Sequence, residues 1–160
     1  MKILIALAVV SVIAIFLFRV MSANDTDGGF VSIDDFPELV TAIQKTGKDG
    51  AFWVVLIPGT ALKDGLAANL QYSMENGVLG LDWVLIADRN ISERKKFVQI
   101  VEKLGHRVDL KEGNGVQYLR VVEVKNMPEL GQIVLKQLFG TDSSQKLNLI
   151  ITNFKWKKKT

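Results

Sequence analysis

Polar side chains that could do chemistry follow two apolar runs of the sequence. Thr60 comes shortly after the run 51–57, and Asp88 and Arg89 directly follow the run 81–87. If both runs are parallel neighbouring strands, their carboxyl ends meet at one sheet edge, where ligands often bind. The three side chains would then supply a hydroxyl, an acid and a base to a small ligand-binding pocket. In the alternative interpretation they belong to a plain turn, a strand end and a solvated surface.

The composition excludes several other kinds of chemistry. The chain has 160 residues, no cysteine and one histidine, His106, so thiolate nucleophiles and a His-rich metal site are excluded. The nucleophile-elbow pattern Gly-x-Ser-x-Gly is absent, and residues 59–65 lack the Gly-Lys-Ser/Thr ending of a phosphate loop. We therefore expect no catalytic residues, no metal and no cofactor, and a binding protein is favoured over an enzyme.

The amino-terminal segment is the most distinctive part of the sequence. From Ile3 to Phe18 no position is charged, and Ser11 is the only polar one. A helix of this length is about 24 Å long, and extension to Ala23 gives about 31 Å, against a hydrocarbon core of roughly 30 Å. We predict a membrane anchor, with two alternatives. A signal peptide cleaved near Ala23 would give a secreted protein, and an ordinary buried helix is disfavoured because the run is apolar all round.

The basic residues that flank this segment give the expected orientation. Lys2 precedes it, whereas Arg19 follows it and is itself followed by several acidic residues. The positive-inside tendency then favours the amino terminus in the cytoplasm. We predict a single-pass protein of a bacterial-type cytoplasmic membrane with its domain on the outer side.

Charge is unevenly distributed along the chain. The formal net charge is +3, but residues 24–154 carry more acidic than basic groups. A nucleic-acid-binding domain usually shows clustered Lys and Arg on its body, so nucleic acid is not an expected partner. The carboxyl-terminal cluster, which could touch an anionic surface or remain solvated, comprises Lys155, Lys157, Lys158 and Lys159.

The body of the chain is predicted to alternate strands and helices. The predicted strands are 51–57, 81–87, 107–111, 116–124 and 147–156, and the predicted helices are 35–46, 62–75, 90–105 and 126–140. Short apolar runs favour strands, and apolar positions three and four apart favour helices. Asn114-Gly115 predicts a hairpin, and Asn90 with Glu93 predicts a capping box.

The order of these elements predicts an α+β fold. From residue 81 it is strand, helix, strand, strand, helix, strand, as in a ferredoxin-like split βαβ sandwich. The strand 51–57 and the helix 62–75 would add a fifth strand through a right-handed crossover, with helices on one sheet face. The predicted division is an anchor or signal at 1–23, a linker at 24–32, one domain at 33–156 and a basic tail at 157–160.

The element order over residues 81–156 also resembles the RraB family, small regulators of ribonuclease E. The matching features are the apolar strand, the helix that ends at Leu104-Gly105-His106, the hairpin, the helix start at Met127-Pro128 and a final strand that ends in an aromatic residue. The resemblance implies a regulatory protein, and no site residue is transferred from it.

Three functions are compatible with these patterns. The first is a membrane-anchored or exported binding domain without catalytic activity. The second is a ligand-binding protein or enzyme that uses Thr60, Asp88 and Arg89. The third is a regulator that contacts a protein, a nucleic acid or a second copy of itself through the sheet or the tail.

Overall fold

The structure is a computed structural model that describes residues 29–158, and in these residues one antiparallel sheet of seven strands packs against helices. The strands are β1 (Phe30–Val31), β2 (Phe52–Leu56), β3 (Asn69–Glu75), β4 (Val78–Val84), β5 (Asp109–Gly113), β6 (Val116–Val121) and β7 (Leu147–Thr152). The helices are α1 (Phe36–Thr46), α2 (Asp88–Ser92), α3 (Arg94–Lys103) and α4 (Met127–Phe139). The predicted α+β class is confirmed.

The strand order is β1-β7-β2-β3-β4-β6-β5, and every neighbouring pair is antiparallel. Helix α3 connects β4 to β5 in the sequence, and β6 lies between these two strands in the sheet. The unit β6-α4-β7 spans a wider gap, because β4, β3 and β2 all lie between its strands. The β2-β3 pair therefore lies between β7 and β4.

The predicted helix at 62–75 is wrong. Residues 69–75 form β3, which returns to β4 through the turn Asn76-Gly77, where the two residues have φ of 51° and 74°. Both residues of such a tight hairpin turn need positive φ, and Asn-Gly is the pair that adopts it most readily. The predicted crossover is wrong for the same reason, since β2 and β4 are not neighbours and β3 pairs with both.

Helix α1 begins one residue after its predicted start, and a capped turn leads into it. A turn of 3-10 helix, Ile33–Asp35, precedes it, and Ser32 forms the capping box. The Ser32 amide donates to the Asp35 carboxylate at 2.8 Å, and the Ser32 hydroxyl accepts from the Asp34 amide at 3.3 Å. These bonds satisfy amides that the first turn of a helix leaves without partners.

The helices pack against one face of the sheet, which we call the helical face. Alternate strand residues point to it, among them Trp53, Tyr72 and Trp83, all fully buried. Trp53 stacks on Tyr72 with ring centroids 4.3 Å apart, and Trp83 stacks on Phe97 of α3 at 5.0 Å. This aromatic layer joins α1, α3 and α4 to the centre of the sheet.

Part of the predicted organisation concerns residues that the structure does not describe. The segment from Ile3 to Phe18 and the tail residue Lys159 lie outside the described residues. Between residues 29 and 158, no helix is long and apolar enough to cross a membrane. The division into anchor, linker, domain and tail stays a prediction.

Candidate functional site

Thr60 lies in the loop between β2 and β3, where its hydroxyl makes two hydrogen bonds. It donates to the Ile57 carbonyl at 2.6 Å and accepts from the Ala68 amide at 2.8 Å. The amide of Ile57 also donates to the carbonyl of Ala68 at 2.9 Å. Thr60 therefore links the two ends of this loop, and its hydroxyl already donates one hydrogen bond and accepts another.

Arg89 lies in α2, above the ring of Phe139 at the end of α4. Its guanidinium carbon is 5.7 Å from the ring centroid, and its Nη2 is 3.1 Å from a carboxylate oxygen of Glu93. The Nε atom of Arg89 is buried and has no hydrogen-bond partner among the described residues. The side chain is thus fixed by an aromatic face and an ion pair, with one donor left over.

Thr60 and Arg89 share a cleft of about 350 Å³, which we call the cleft. Its other lining residues are Ile57, Pro58, Gly59, Leu62, Leu138, Phe139 and Gln145. Asp88 lines a separate, open groove of about 670 Å³, together with Leu62, Lys63, Ile91 and Ser92, which we call the groove. The three predicted residues therefore lie at the same end of the sheet but are divided between two depressions that share Leu62.

Asn90 does not cap a helix, so the predicted capping box with Glu93 is wrong. It lies inside α2 and is fully buried. Its side-chain amide donates to the Asn69 carbonyl and accepts from the Asn69 amide, both at 2.9 Å. The backbone carbonyl of Asn90 accepts from the Trp83 indole at 2.8 Å. Asn90 therefore attaches α2, which carries Arg89, to the start of β3 and to the end of β4.

A buried polar network on the opposite face of the sheet was not foreseen from the sequence. Arg120 of β6 lies directly across from Asp82 of β4, and its Nη1 donates to the Asp82 carboxylate at 2.7 Å. Nη1 also donates to the Ser73 hydroxyl at 2.9 Å, and that hydroxyl donates a short hydrogen bond to Asp82. Tyr118 donates to Glu75 at 2.9 Å, and Glu75 is 3.4 Å from the Arg120 guanidinium.

The electrostatics of this polar network follow from its burial. The side chains of Asp82 and Arg120 are 1% and 4% exposed. Burial raises the pKa of Asp82 to about 6, against the lowering effects of the Arg120 charge and of the Ser73 hydrogen bond. Burial and the neighbouring Glu75 also raise the pKa of Tyr118 above its usual range, so Tyr118 stays a donor.

The network stabilises its own members and leaves few groups for a ligand. The second guanidinium nitrogen of Arg120 donates to the carbonyls of Ser73 and Val78 at 3.3 and 3.0 Å. Gly80 makes room for this guanidinium, since a Cβ there would lie 2.7 Å from Nε and Nη1 of Arg120. A charged residue in each of two apolar strands was the sequence signal that could have revealed the pair.

The lysine cluster of the tail is partly tied to the domain. Lys158 forms an ion pair with Asp35 at 2.8 Å, and the Lys155 amide lies 3.4 Å from the Thr46 hydroxyl. Lys157 is exposed, and Trp156 packs against the core after β7 has ended at Thr152. The predicted strand to residue 156 is therefore four residues too long, and the tail bends back towards α1.

No metal centre is indicated in the part of the chain that the structure describes, where no group of three or more His, Cys, Asp or Glu side chains is close enough to hold an ion. Comparison with known proteins gives no relative whose functional residues could be transferred to this chain. The chain matches no family model, no curated protein and no solved structure.

Proposed function

We propose that this chain is a binding domain without catalytic activity, held at the outer side of a membrane by its apolar amino-terminal segment. The observation that carries the proposal is the groove at the end of the sheet. Leu62 and Ile91 line it and are 46% and 52% exposed, although both are large apolar side chains. Adjoining exposed apolar residues with a polar rim are typical of a surface that contacts another protein.

Binding fits the groove and the cleft better than catalysis does. The Thr60 hydroxyl is engaged by two backbone groups, and Arg89 is paired with Glu93. A nucleophile needs a base within hydrogen-bond distance, and Thr60 is bonded to backbone groups instead. The open shape of the groove and its rim of Lys63, Asp88 and Ser92 suit an apolar side chain of a protein partner, with polar contacts around it.

The groove is tested by photo-crosslinking in the cell. A photoreactive amino acid at position 91 is expected to give one discrete adduct, whose mass identifies a protein partner. The matched control is position 104, because Leu104 is also a large exposed apolar residue, at 41%, and does not line the groove. Ile91→Asp, introduced beside a photoreactive group at position 62, should abolish the adduct. Equal adducts from positions 91 and 104 would contradict the proposal.

The membrane tether is tested separately, by fractionation combined with protease accessibility. The full-length chain is expected in the membrane fraction, and protease added from the outer side should degrade the domain. The intact mass distinguishes an uncleaved anchor from a signal removed near Ala23. A full-length chain recovered from the cytoplasm would contradict the tether and would leave the groove as a separate result.

A second candidate function is the binding of a small anion in the cleft. The unpartnered Nε atom of Arg89 favours it, since a buried donor gains a hydrogen bond from a bound acceptor. Acetate and inorganic phosphate serve as probes, and each should raise the melting temperature of the wild type but not of Arg89→Gln. Arg107→Gln is the matched control, because Arg107 is largely exposed and pairs with Asp109.

Two finer interpretations remain proposals. The sheet can be described as a ferredoxin-like arrangement that has taken up the β2-β3 hairpin, because β4, β6 and β5 keep the predicted order. The resemblance to the RraB family remains a prediction of a regulatory role. A regulator of that kind would also need a surface for a protein partner.

A further inference from the structure

Lysines from two segments that are distant in the sequence meet alongside α1. Lys45 lies in the last turn of α1, and Lys48 follows it in the loop that leads to β2. The residues after β7 bring three further lysines to the same helix. We call Lys45, Lys48, Lys155, Lys157 and Lys158 the lysine patch.

Two contacts hold the residues after β7 against the end of α1. The side chain of Asn153 donates to the Gly50 carbonyl at 3.5 Å, and the Lys155 amide donates to the Thr46 hydroxyl at 3.4 Å. Lys48 lies in the sequence between these two acceptors. The lysines at the end of α1 and those of the tail therefore belong to one surface.

The tail continues along α1 towards the start of that helix. Lys158 forms an ion pair of 2.8 Å with Asp35, which directly precedes α1. Between the two ends of this stretch, Trp156 packs against the core, whereas its neighbours Lys155 and Lys157 are exposed. The aromatic residue thus fixes the tail to the domain while the lysines on either side of it face solvent.

Most of the positive charge of the lysine patch is not compensated by the domain. Lys158 is paired with Asp35, but no ion pair joins Lys45, Lys48, Lys155 or Lys157 to another residue between 29 and 158. Residues 24–154 carry more acidic than basic groups. The lysine patch is therefore a local excess of positive charge on a mildly acidic body.

We propose that the lysine patch binds the anionic headgroups of a phospholipid membrane. This partner rests on the membrane tether proposed above. The stretch from Gly29, where the described residues begin, to Asp35 beside Lys158 spans at most about 20 Å even when fully extended. A domain that is tethered through the residues before Gly29 therefore holds the lysine patch near the bilayer.

The chemistry of the lysine patch suits lipid headgroups. Each lysine presents a compact charge that a phosphate attracts, and one lysine near an anionic membrane strengthens binding about fivefold. Several lysines together can thus turn a tethered domain so that α1 and the tail face the bilayer. Because these side chains are exposed, salt screens the attraction.

Fluorescence quenching in the full-length chain tests this orientation. The chain has no natural cysteine, so Gln44→Cys can carry a fluorophore on α1, beside the lysine patch. The matched control is Gln117→Cys, an exposed glutamine of β6, which lies in the half of the sheet remote from β1 and β7. Vesicles of phosphatidylcholine and phosphatidylglycerol with a nitroxide headgroup lipid should quench position 44 more strongly than position 117.

Removal of charge tests the role of the lysines themselves. Lys155→Gln combined with Lys157→Gln should lower the ratio of docked to free domain about 25-fold, which is about fivefold for each lysine. The matched control, Lys103→Gln combined with Lys111→Gln, removes the same charge from α3 and β5 and should leave the ratio unchanged. High salt should act on the wild type as the tail variant does.

The remaining outcomes separate this proposal from the tether. Equal quenching at positions 44 and 117, or equal losses in the two double variants, would overturn the proposal. Lys45→Gln combined with Lys48→Gln repeats the test on the other segment of the lysine patch. Binding of a single-stranded oligonucleotide that the tail variant loses, without quenching by phosphatidylglycerol vesicles, would overturn it in favour of nucleic acid. A chain that floats only with phosphatidylglycerol vesicles contradicts the tether and still supports the lysine patch.

Discussion

Different interactions stabilise the two faces of the sheet. The helical face is an aromatic and aliphatic layer in which Trp53, Tyr72 and Trp83 are fully buried under three helices. The other face divides into a cluster of apolar side chains, among them Val54 and Ile150, and the polar network around Asp82 and Arg120. The first face depends mainly on packing, with hydrogen bonds from Tyr72 and Trp83, whereas the second depends also on matched charges. Perturbation should therefore weaken the two faces in distinguishable ways.

The largest effect is expected from Trp53→Ala on the helical face. Trp53 stacks on Tyr72 and meets the ring of Phe36 edge-on at 5.1 Å, so its removal leaves a large cavity. The loss in the free energy of unfolding should be about 4 kcal/mol, measured by urea denaturation. Trp156→Ala, at a half-buried position, is the control and should cost clearly less. Similar losses for both variants would contradict the central role of the aromatic layer.

A slightly smaller loss is expected when the polar network is broken. Arg120→Met leaves the Asp82 carboxylate buried without its partner, which should cost about 3 to 4 kcal/mol in unfolding free energy. The double variant Asp82→Leu with Arg120→Met removes both charges and should recover most of that loss. A double variant that is less stable than Arg120→Met alone would contradict the prediction, because it would show that Asp82 stabilises the fold beyond its pairing with Arg120.

The pH dependence separates the two faces further. The pKa of Asp82 is raised to about 6 from 3.8, so the folded state binds a proton more tightly than the unfolded state does. The resulting stabilisation is fully present below about pH 4 and is lost as the pH rises through 6. Relative to Asp82→Asn, the wild type should therefore lose up to about 3 kcal/mol over that window. Parallel profiles of the two proteins would show that the pKa is not raised.

A smaller effect of about 2 kcal/mol is expected from Gly80→Ala. The new methyl group would press on the Arg120 guanidinium, which has backbone carbonyls and Asp82 around it. In an Arg120→Met background the flexible side chain can move aside, and the cost should fall. A double-mutant cycle measures this coupling, and an unchanged cost would show that Gly80 serves the strand instead of the arginine.

The hairpin turns show how far the sequence could be interpreted. Asn114-Gly115 stands between polar strand-like runs, and the predicted hairpin of β5 and β6 is confirmed. Asn76-Gly77 is the same signal, but the spacing of apolar residues before it also predicts a helix. Leu70 and Met74 are four positions apart, which fits one helix face and also fits alternate positions of a strand. Tyr72 between them is buried with both, which only a strand allows.

The candidate sites also differ in how far the sequence predicts them. Thr60 and Arg89 could be brought together from the sequence, because β2 and β4 run in the same direction and their following loops meet at one sheet end. The pair Asp82 and Arg120 depends on the register between β4 and β6, which are far apart in the sequence. No local pattern encodes that register.

The two edges of the sheet bear on how this protein can associate with itself. On one side the sheet ends in β1, which has only two residues, and on the other side in β5, which carries Asp109, Lys111 and Glu112. Very short and charged edge strands resist the addition of further strands from another molecule. Growth of the sheet into dimers or fibrils by edge pairing is therefore disfavoured at both ends. Self-association through the described residues is therefore expected to use a face of the domain.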